Sequence, residues 1–326
     1  MEIEVLYLID IIRKNQEELK ELKVNNKDLK VLSFSMLSTI EQCMRQYKFN
    51  YIDKIEADSD NVYTYLGSLA HLLVEKLYRK EITNKEAVSK WLEKINSMVY
   101  FFVDYSKTEQ YDKQIELKNR NRKYKNNYNM NMVRYFRNFK PIQYKNFLQE
   151  ERVYIRLDKV FNLPFFRDYV FNGIVDFIGL NNDGSIDIID YKTSTMYKGK
   201  KQILHSFQLI LYAICLENMG FKINRVGWNF LKYARKVRRF KNGNTRLTNI
   251  ERRTLKYNDE FEDCIVEIDY NVENKKKALK FIFDNVKLMF NVDRVKNKNT
   301  NLIPCNYNEF FCKNLCSFYN ICNVSR

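Results

Sequence analysis

Four side chains carry most of the chemical content of this chain: His71, Asp176, Asp190 and Lys192. His71 stands four residues from both Gly67 and Glu75, so on a helix the three share one face beside a leucine stripe. Asp176 interrupts an apolar run between Val175 and Phe177, where an unpaired carboxylate is costly to bury. It needs a partner. Asp190 and Lys192 are two apart, which on a strand places both on one face. Gln208 and Tyr212, again four apart, would bring an amide and a hydroxyl from a following helix. A divalent cation beside two carboxylates and an imidazole lowers the pKa of a bound water and neutralises charge on a scissile phosphate. A nearby lysine orients that water or offsets transition-state charge. Hard oxygens with one imidazole suit Mg2+ or Mn2+. Taken singly, the fragments have plainer readings: a half-buried histidine on an amphipathic helix, an ion pair on an edge strand, an ordinary amphipathic helix.

The elements that must position these groups follow from period and turn signals. Leu8, Ile9, Ile12, Leu19 and Leu22 mark an amphipathic helix within residues 1–30. A second helix is expected over 38–51, and a third from near Asp60 with Leu66, Leu69, Leu73 and Leu77 as its buried stripe. Residues 80–148 read as helical and turn basic and Asn-rich around 113–128, as an inserted arm or lid would. Two β-rich runs, 169–180 and 185–192, flank Asn181-Asn182-Asp183-Gly184, a hairpin signal. Counting from that turn puts Asp190 within about a residue of Asp176 across the ladder, with a bulge as one way to bring them onto one face. A helix over 202–219, a strand over 226–232, a turn at Asn242-Gly243-Asn244, a strand over 265–268 and a helix over 276–291 complete the pattern.

At 326 residues the chain can bury a large core, and 45% hydrophobic with 15% aromatic residues exclude general disorder. Only 8 Gly and 3 Pro disfavour a turn-rich all-β fold, leaving helix-rich α/β. A net charge of +16 favours polyanionic partners, although Lys scattered among Asn also reads as a solvated surface. The segment 232–241 mixes six basic residues with Tyr233 and Phe240, a composition for phosphate contacts and base stacking, with Arg235, Arg238 and Arg239 as its expected DNA contacts. The first residues lack a basic n-region, and the longest apolar run is about half of what spans a bilayer, so a soluble cytoplasmic protein without membrane contact is expected.

In order and context these motifs resemble those of the PD-(D/E)XK nuclease superfamily in its RecB-like branch: G-x-x-x-H-x-x-x-E at Gly67, His71 and Glu75, G-x-x-D at Gly173 and Asp176, D-x-K at Asp190 and Lys192, and Q-x-x-x-Y at Gln208 and Tyr212. The resemblance implies a restriction-endonuclease-like α/β core, with a mixed central sheet flanked by helices and a helical insertion. It implies that His71, Asp176, Asp190 and the carbonyl of Tyr191 hold the metal. Lys192 would be the catalytic lysine and Gln208 with Tyr212 a supporting pair. Glu75 fits the pattern without a direct ligand role.

Of the seven cysteines, Cys215 and Cys264 sit in apolar settings as core thiols, whereas Cys305, Cys312, Cys316 and Cys322 crowd the tail. With no secretory signal, soft-metal ligation is favoured over disulfides, and the lack of paired C-x2-C knuckles lowers structural zinc. The chain further resembles the iron-sulfur subset of that branch, such as CRISPR-associated exonucleases and the AddB nuclease domain. There one cysteine precedes the histidine motif and three close the domain. Cys43, Cys312, Cys316 and Cys322 match, although Met44 replaces a common Pro and one extra residue separates Cys312 from Cys316. Cys305 is the alternative to Cys312. A 4Fe-4S cluster on this set would tie the chain's ends together, and losing Cys322 should leave a colourless, poorly soluble protein.

The reading is one nuclease domain over 1–326, with an N-terminal helical extension (1–30), a basic helical insertion (80–148) and an iron-sulfur segment (300–326). It would hydrolyse DNA as an exonuclease on single strands or ends, in repair, recombination, CRISPR adaptation or viral DNA processing. No Walker motif occurs, so any unwinding would come from a helicase partner. The rival readings are a non-catalytic DNA-binding or assembly subunit with the same fold, and a zinc-stabilised nucleic-acid adaptor.

Overall fold

The computed structural model describes residues 2–56, 62–97, 111–240, 242–295 and, in the C-terminal segment, 303–306, 308, 312, 316–319, 321 and 322. The order is α1 (Glu2–Asn25), β1 (Lys30–Leu32), α2 (Phe34–Gln42), α3 (Met44–Tyr47) running into a π-helical turn (Lys48–Ile52), α4 (Val62–Tyr78), α5 (Asn84–Asn96) and α6 (Tyr111–Arg137). Then follow β2 (Asn146–Arg156), α7 (Leu157–Phe161), β3 (Tyr169–Leu180), β4 (Ile186–Lys192), α8 (Gly199–Asn218), β5 (Ile223–Arg239), β6 (Thr245–Glu251), β7 (Phe261–Glu267) and α9 (Val272–Val295). Among the described residues no helix is long and apolar enough to cross a membrane.

The strands form one mixed sheet in the order β1-β3-β4-β5-β6, with β2 also on β3 and β7 also on β5. β1 runs parallel to β3 and β4 parallel to β5, while the other pairs are antiparallel. Ile188 packs into a core with Leu37 of α2, Leu209 of α8 and Phe281 of α9. Its neighbour Ile189 joins a second core with Leu73 of α4, Trp91 of α5 and Phe136 of α6. Because successive strand residues point to opposite faces, the sheet lies between two helical layers. This is the mixed α/β architecture expected from the sequence.

The hairpin at 181–184 forms, with Gly184 at φ +79°, a left-handed conformation that glycine adopts without steric cost. The pairing Phe177↔Ile189 then places Asp176 and Asp190 opposite one another at the next step, with no bulge between β3 and β4. The helix expected over 38–51 is interrupted. Cys43 adopts an extended backbone (φ −160°, ψ 113°) that ends α2 and begins α3. Asp60 lies outside the described residues, and α4 begins at Val62. The helical reading of 80–148 runs past α6 into β2, which the sequence reading missed, and β5 extends well beyond 226–232.

Candidate active site

The site lies where β3 changes partners. Along one edge β1 pairs with Tyr169, Val170 and Phe171, and β4 pairs with Phe177 to Leu180, so residues 172–176 have no ladder partner there among the described residues. This gap exposes one side of Asp176 to the helix that carries His71. His71 Nδ1 stands 3.5 Å from Asp176 Oδ2, and its Nε2 donates to the Tyr191 carbonyl at 2.8 Å. The Tyr191 N–H in turn donates to Asp176 Oδ2 at 2.9 Å. The backbone of Tyr191 alone, through its N–H and its carbonyl, therefore fixes both the carboxylate and the imidazole.

A third group was not foreseen. Glu150 of β2 joins His71 and Asp176 in a trio whose ligand atoms all lie within 4.8 Å of one another. Gln149 pairs with Phe177 and Glu151 with Val175, leaving Glu150 across from Asp176. Its backbone is left-handed (φ +55°), a conformation that costs a non-glycine residue about 1–3 kcal/mol. Partial burial, then the Asp176 carboxylate, raises the Glu150 pKa, with smaller contributions from Glu75 and Asp190. The cluster is thus rich in negative charge that a cation would relieve. Ligand atoms on a small octahedral ion at 2.0–2.1 Å are about 3 Å apart. His71 Nδ1 and Asp176 Oδ2, 3.5 Å apart, come near that spacing, while Nε2 is turned to the Tyr191 carbonyl; the donor chemistry of carboxylates, a carbonyl and one imidazole suits such an ion.

Asp190 and Lys192 form a 2.6 Å ion pair, and Asp190 is only 2% exposed. β4 lies between β3 and β5, but at Asp190 and Lys192 its ladder partner among the described residues is β5 alone, since the pairing with β3 ends at Phe177↔Ile189. Burial raises the Asp190 pKa, opposed by Lys192 and reinforced by Asp176. Burial would lower the Lys192 pKa, but Asp190 and Asp176 outweigh it and keep the ammonium charged. The lysine is therefore a fixed cation beside the carboxylates rather than a proton acceptor. Asp190 is not in the trio with His71, Glu150 and Asp176; in this geometry its Oδ2 is committed to Lys192.

Gln208 Nε2 donates to Tyr212 Oη at 3.0 Å, so these residues of α8 form a unit. The Tyr212 ring lies against Gly173. A Cβ at that glycine would fall 2.1 Å from Tyr212 Cε1, which explains why this strand position accommodates only a hydrogen. Gly67 has no comparable role: a Cβ there would meet the Thr193 Oγ1 side-chain atom at 3.6 Å, an ordinary contact. Glu75 pairs with Arg79 at 2.7 Å along its own helix.

A second cluster brings the C-terminal segment to the junction of α2 and α3. Cys43, Cys305, Cys312, Cys316 and Cys322 line one recess with Phe49 and Phe318, and Cys43 Sγ lies 3.8 Å from Cys305 Sγ. Arg45 Nε donates to the Ile303 carbonyl at 2.8 Å, and Asn306 donates to the Gln42 carbonyl at 3.0 Å, docking the tail on α2 and α3. Burial raises the thiols of Cys305 and Cys316. Soft donors gathered at one point suit a thiophilic metal or cluster. Cys215 and Cys264 are fully buried elsewhere, as core thiols.

The basic segment of β5 is less available than its composition implied. Lys236 pairs with Asp259 at 2.6 Å, Arg239 with Glu260 at 2.5 Å and Arg235 with Glu262 at 3.8 Å. Arg238 lies over the Phe240 ring, and Lys241 is outside the described residues. Acidic residues in and before β7 thus offset much of the charge assigned to DNA.

Among solved structures, one described as "Crystal structure of SSO0001" is 16% identical, with 98% of each chain covered and a TM-score of 0.34. No curated protein matches the chain. The model of the PD-(D/E)XK nuclease superfamily matches residues 31–323, from β1 through the cysteine-rich tail. With nearly the whole chain inside that match, and with the mixed sheet and acidic site described above, the chain belongs to the PD-(D/E)XK nuclease superfamily.

Proposed function

We propose that this nuclease is a metal-dependent deoxyribonuclease, an exonuclease acting on single strands or DNA ends, and that its metal is held by His71, Asp176, Asp190 and the Tyr191 carbonyl, with Glu150 as an added carboxylate ligand. The observation carrying this reading is the convergence of His71, Glu150 and Asp176 within 4.8 Å beside the buried Asp190–Lys192 pair. Bound Mg2+ or Mn2+ would supply an acidified water and neutralise charge on the scissile phosphate. Lys192, held charged by its two aspartates, stabilises the extra negative charge on the phosphoryl oxygens. Tyr191 positions both sides of the centre through its backbone, its N–H fixing Asp176 and its carbonyl meeting His71. Gln208 and Tyr212 support the centre from α8, Tyr212 by filling the space left at Gly173.

The whole of 1–326 acts as one nuclease domain in this reading, in the cytoplasm, within DNA repair, recombination, CRISPR adaptation or viral DNA processing, and with a helicase supplying unwinding where duplex is the substrate. The five-cysteine recess supports a 4Fe-4S cluster, as in the RecB-like iron-sulfur branch, on Cys43, Cys316, Cys322 and either Cys312 or Cys305. Absorbance and metal analysis of anaerobically purified Cys305→Ser and Cys312→Ser variants decide the fourth ligand. Loss of cluster absorbance in one variant alone identifies it; zinc in place of iron rejects the cluster.

The enzymatic reading is tested by incubating end-labelled single- and double-stranded DNA with Mn2+, Mg2+ or chelator. Metal-dependent shortening from an end supports exonuclease action. Internal cuts in circular DNA contradict it, and no cleavage of any substrate returns the chain to the role of a DNA-binding subunit.

A further inference from the structure

Helix α1 precedes the residues matched by the nuclease model, which begin at 31, yet it docks on the strand that carries Glu150. Leu8, Ile12 and Leu19 form its buried stripe, and Asn15 stands in that stripe where the spacing calls for a further apolar residue. Its amide serves instead as a stand-in for a neighbouring strand. Asn15 Oδ1 accepts from the Tyr154 N–H at 3.0 Å, and its Nδ2 donates to the Tyr154 carbonyl at 3.2 Å. Gln16 Nε2 donates to the Arg152 carbonyl at 3.1 Å and to Glu151 Oε2 at 3.3 Å. The Tyr154 hydroxyl donates to Glu18 Oε2 at 3.0 Å, and Tyr154 shares a small apolar cluster with Leu19 and Val170. Arg152 and Tyr154 are two apart, so both turn backbone groups toward the same edge of β2. Among the described residues β2 has no ladder partner except β3, and α1 occupies the edge that β3 leaves open.

We propose that α1 clamps the outer edge of β2 and that Asn15 and Gln16 are positioning residues for Glu150, holding its carboxylate beside His71 and Asp176. This role rests on the reading of Glu150 as a metal ligand. Gln149 and Glu151 pair with β3 while Glu150 between them does not, and Glu150 alone in β2 has a left-handed backbone. A strained residue of this kind persists only where its surroundings over-determine it. β3 fixes one edge of the strand on both sides of Glu150, and Gln16 fixes the other edge at the next two residues, with Asn15 completing the hold at Tyr154. Without the two amides the strand is held from one edge only. Relaxation of Glu150 toward ordinary strand geometry would then redirect its side chain away from the imidazole and Asp176. A cap that merely shields an edge strand has a different signature: it leaves metal affinity untouched when removed.

The test compares the full chain with a variant combining Asn15→Ala and Gln16→Ala. Alanine favours helix, so α1 itself is not weakened by the change. Glu17→Ala with Lys20→Ala, on the exposed side of the same helix, is the control. Two quantities are read: amide hydrogen exchange over 151–154 without added divalent cation, and Mn2+ affinity from the paramagnetic resonance signal of the free ion, with no nucleic acid present. The clamp variant is expected to exchange about tenfold faster over 151–154 and to bind Mn2+ about tenfold more weakly, with the control at parental values in both. Placed on Glu150→Gln, the same two alanines should leave Mn2+ affinity where Glu150→Gln alone sets it. Unaltered exchange would overturn the clamp. Parental Mn2+ affinity, or an equal further loss on Glu150→Gln, would overturn the positioning role. If Glu150→Gln by itself leaves Mn2+ binding at the parental value, Glu150 is not a ligand and the positioning role falls with it, while the exchange result still decides the clamp.

Discussion

Alanine at position 173 would put a methyl carbon 2.1 Å from Tyr212 Cε1, 2.8 Å from Cδ1 and 2.9 Å from Cζ. Carbon atoms prefer about 3.5–4.0 Å, so the ring or the strand must move by more than an ångström. Neither moves easily: residues 209–216 of α8 are all buried, and β3 is held along its other edge by β2. Overpacking of this kind costs about 1–3 kcal/mol, less about 0.4–1 kcal/mol recovered by restricting the unfolded chain. Tyr212→Ala alone should cost about 3–5 kcal/mol as a large-to-small aromatic change. In the double variant the added methyl enters the vacated space, so the two costs should fall short of their sum by about 1–3 kcal/mol. Urea unfolding of the four proteins measures this coupling, and metal-dependent cleavage beside it reports on the site. Additivity within about 0.5 kcal/mol would refute the claim that the glycine exists to seat the tyrosine.

Three further outcomes follow from the same geometry. Glu150→Gln should raise the Mn2+ concentration for half-maximal cleavage by about tenfold or more, since a ligand charge is lost while shape is kept; an unchanged metal titration would remove Glu150 from the site. Asp187 accepts from Tyr144 at 3.0 Å, Asn181 at 3.0 Å, Asn224 at 2.8 Å and Arg225 at 2.8 Å, so Asp187→Ala should cost about 3–5 kcal/mol in urea unfolding by stranding Arg225 and its companions. His205, stacked 4.2 Å from the Tyr197 ring, has its pKa lowered to about 4 by burial and by Lys201 and Lys192. A depressed folded pKa means that the unfolded chain takes up the proton first. Stability is therefore full above about pH 6.5 and falls toward pH 4, by about 1 kcal/mol after discounting for solvent screening. His205→Phe should flatten that part of the urea-midpoint profile, and an unaltered slope would assign it to other groups.

The hairpin that carries the site was legible because β3 and β4 have apolar runs bounded by a turn that needs Gly184. Counting from that turn brought Asp190 to within about a residue of Asp176 and left a bulge open; the register Phe177↔Ile189 sets the two opposite one another without one. Glu150 escaped because Gln149, Glu150, Glu151 and Arg152 break the apolar alternation that marks a strand, so β2 itself went unread. Burial of one face and pairing with β3 override that local signal. The break at Cys43 has neither Gly nor Pro to announce it; the tail docked by Arg45 and Asn306 is a contact spanning more than 250 residues. The neutralised arginines of β5 were hidden for the same reason, since their acidic partners at 259–262 come from a different part of the chain. Ordered motifs thus reported the chemistry, while long-range pairing determined which charges remain available to a substrate.

The most direct test of the metal-dependent account is the cleavage rate of end-labelled DNA by anaerobically purified protein with Mn2+, with chelator, and as Lys192→Ala with Mn2+. The account predicts cleavage that chelator abolishes and that the substitution lowers by about 10²-fold or more, with the variant's fold verified by circular dichroism. Cleavage surviving chelator, or a folded Lys192→Ala protein as fast as the parent, would contradict it.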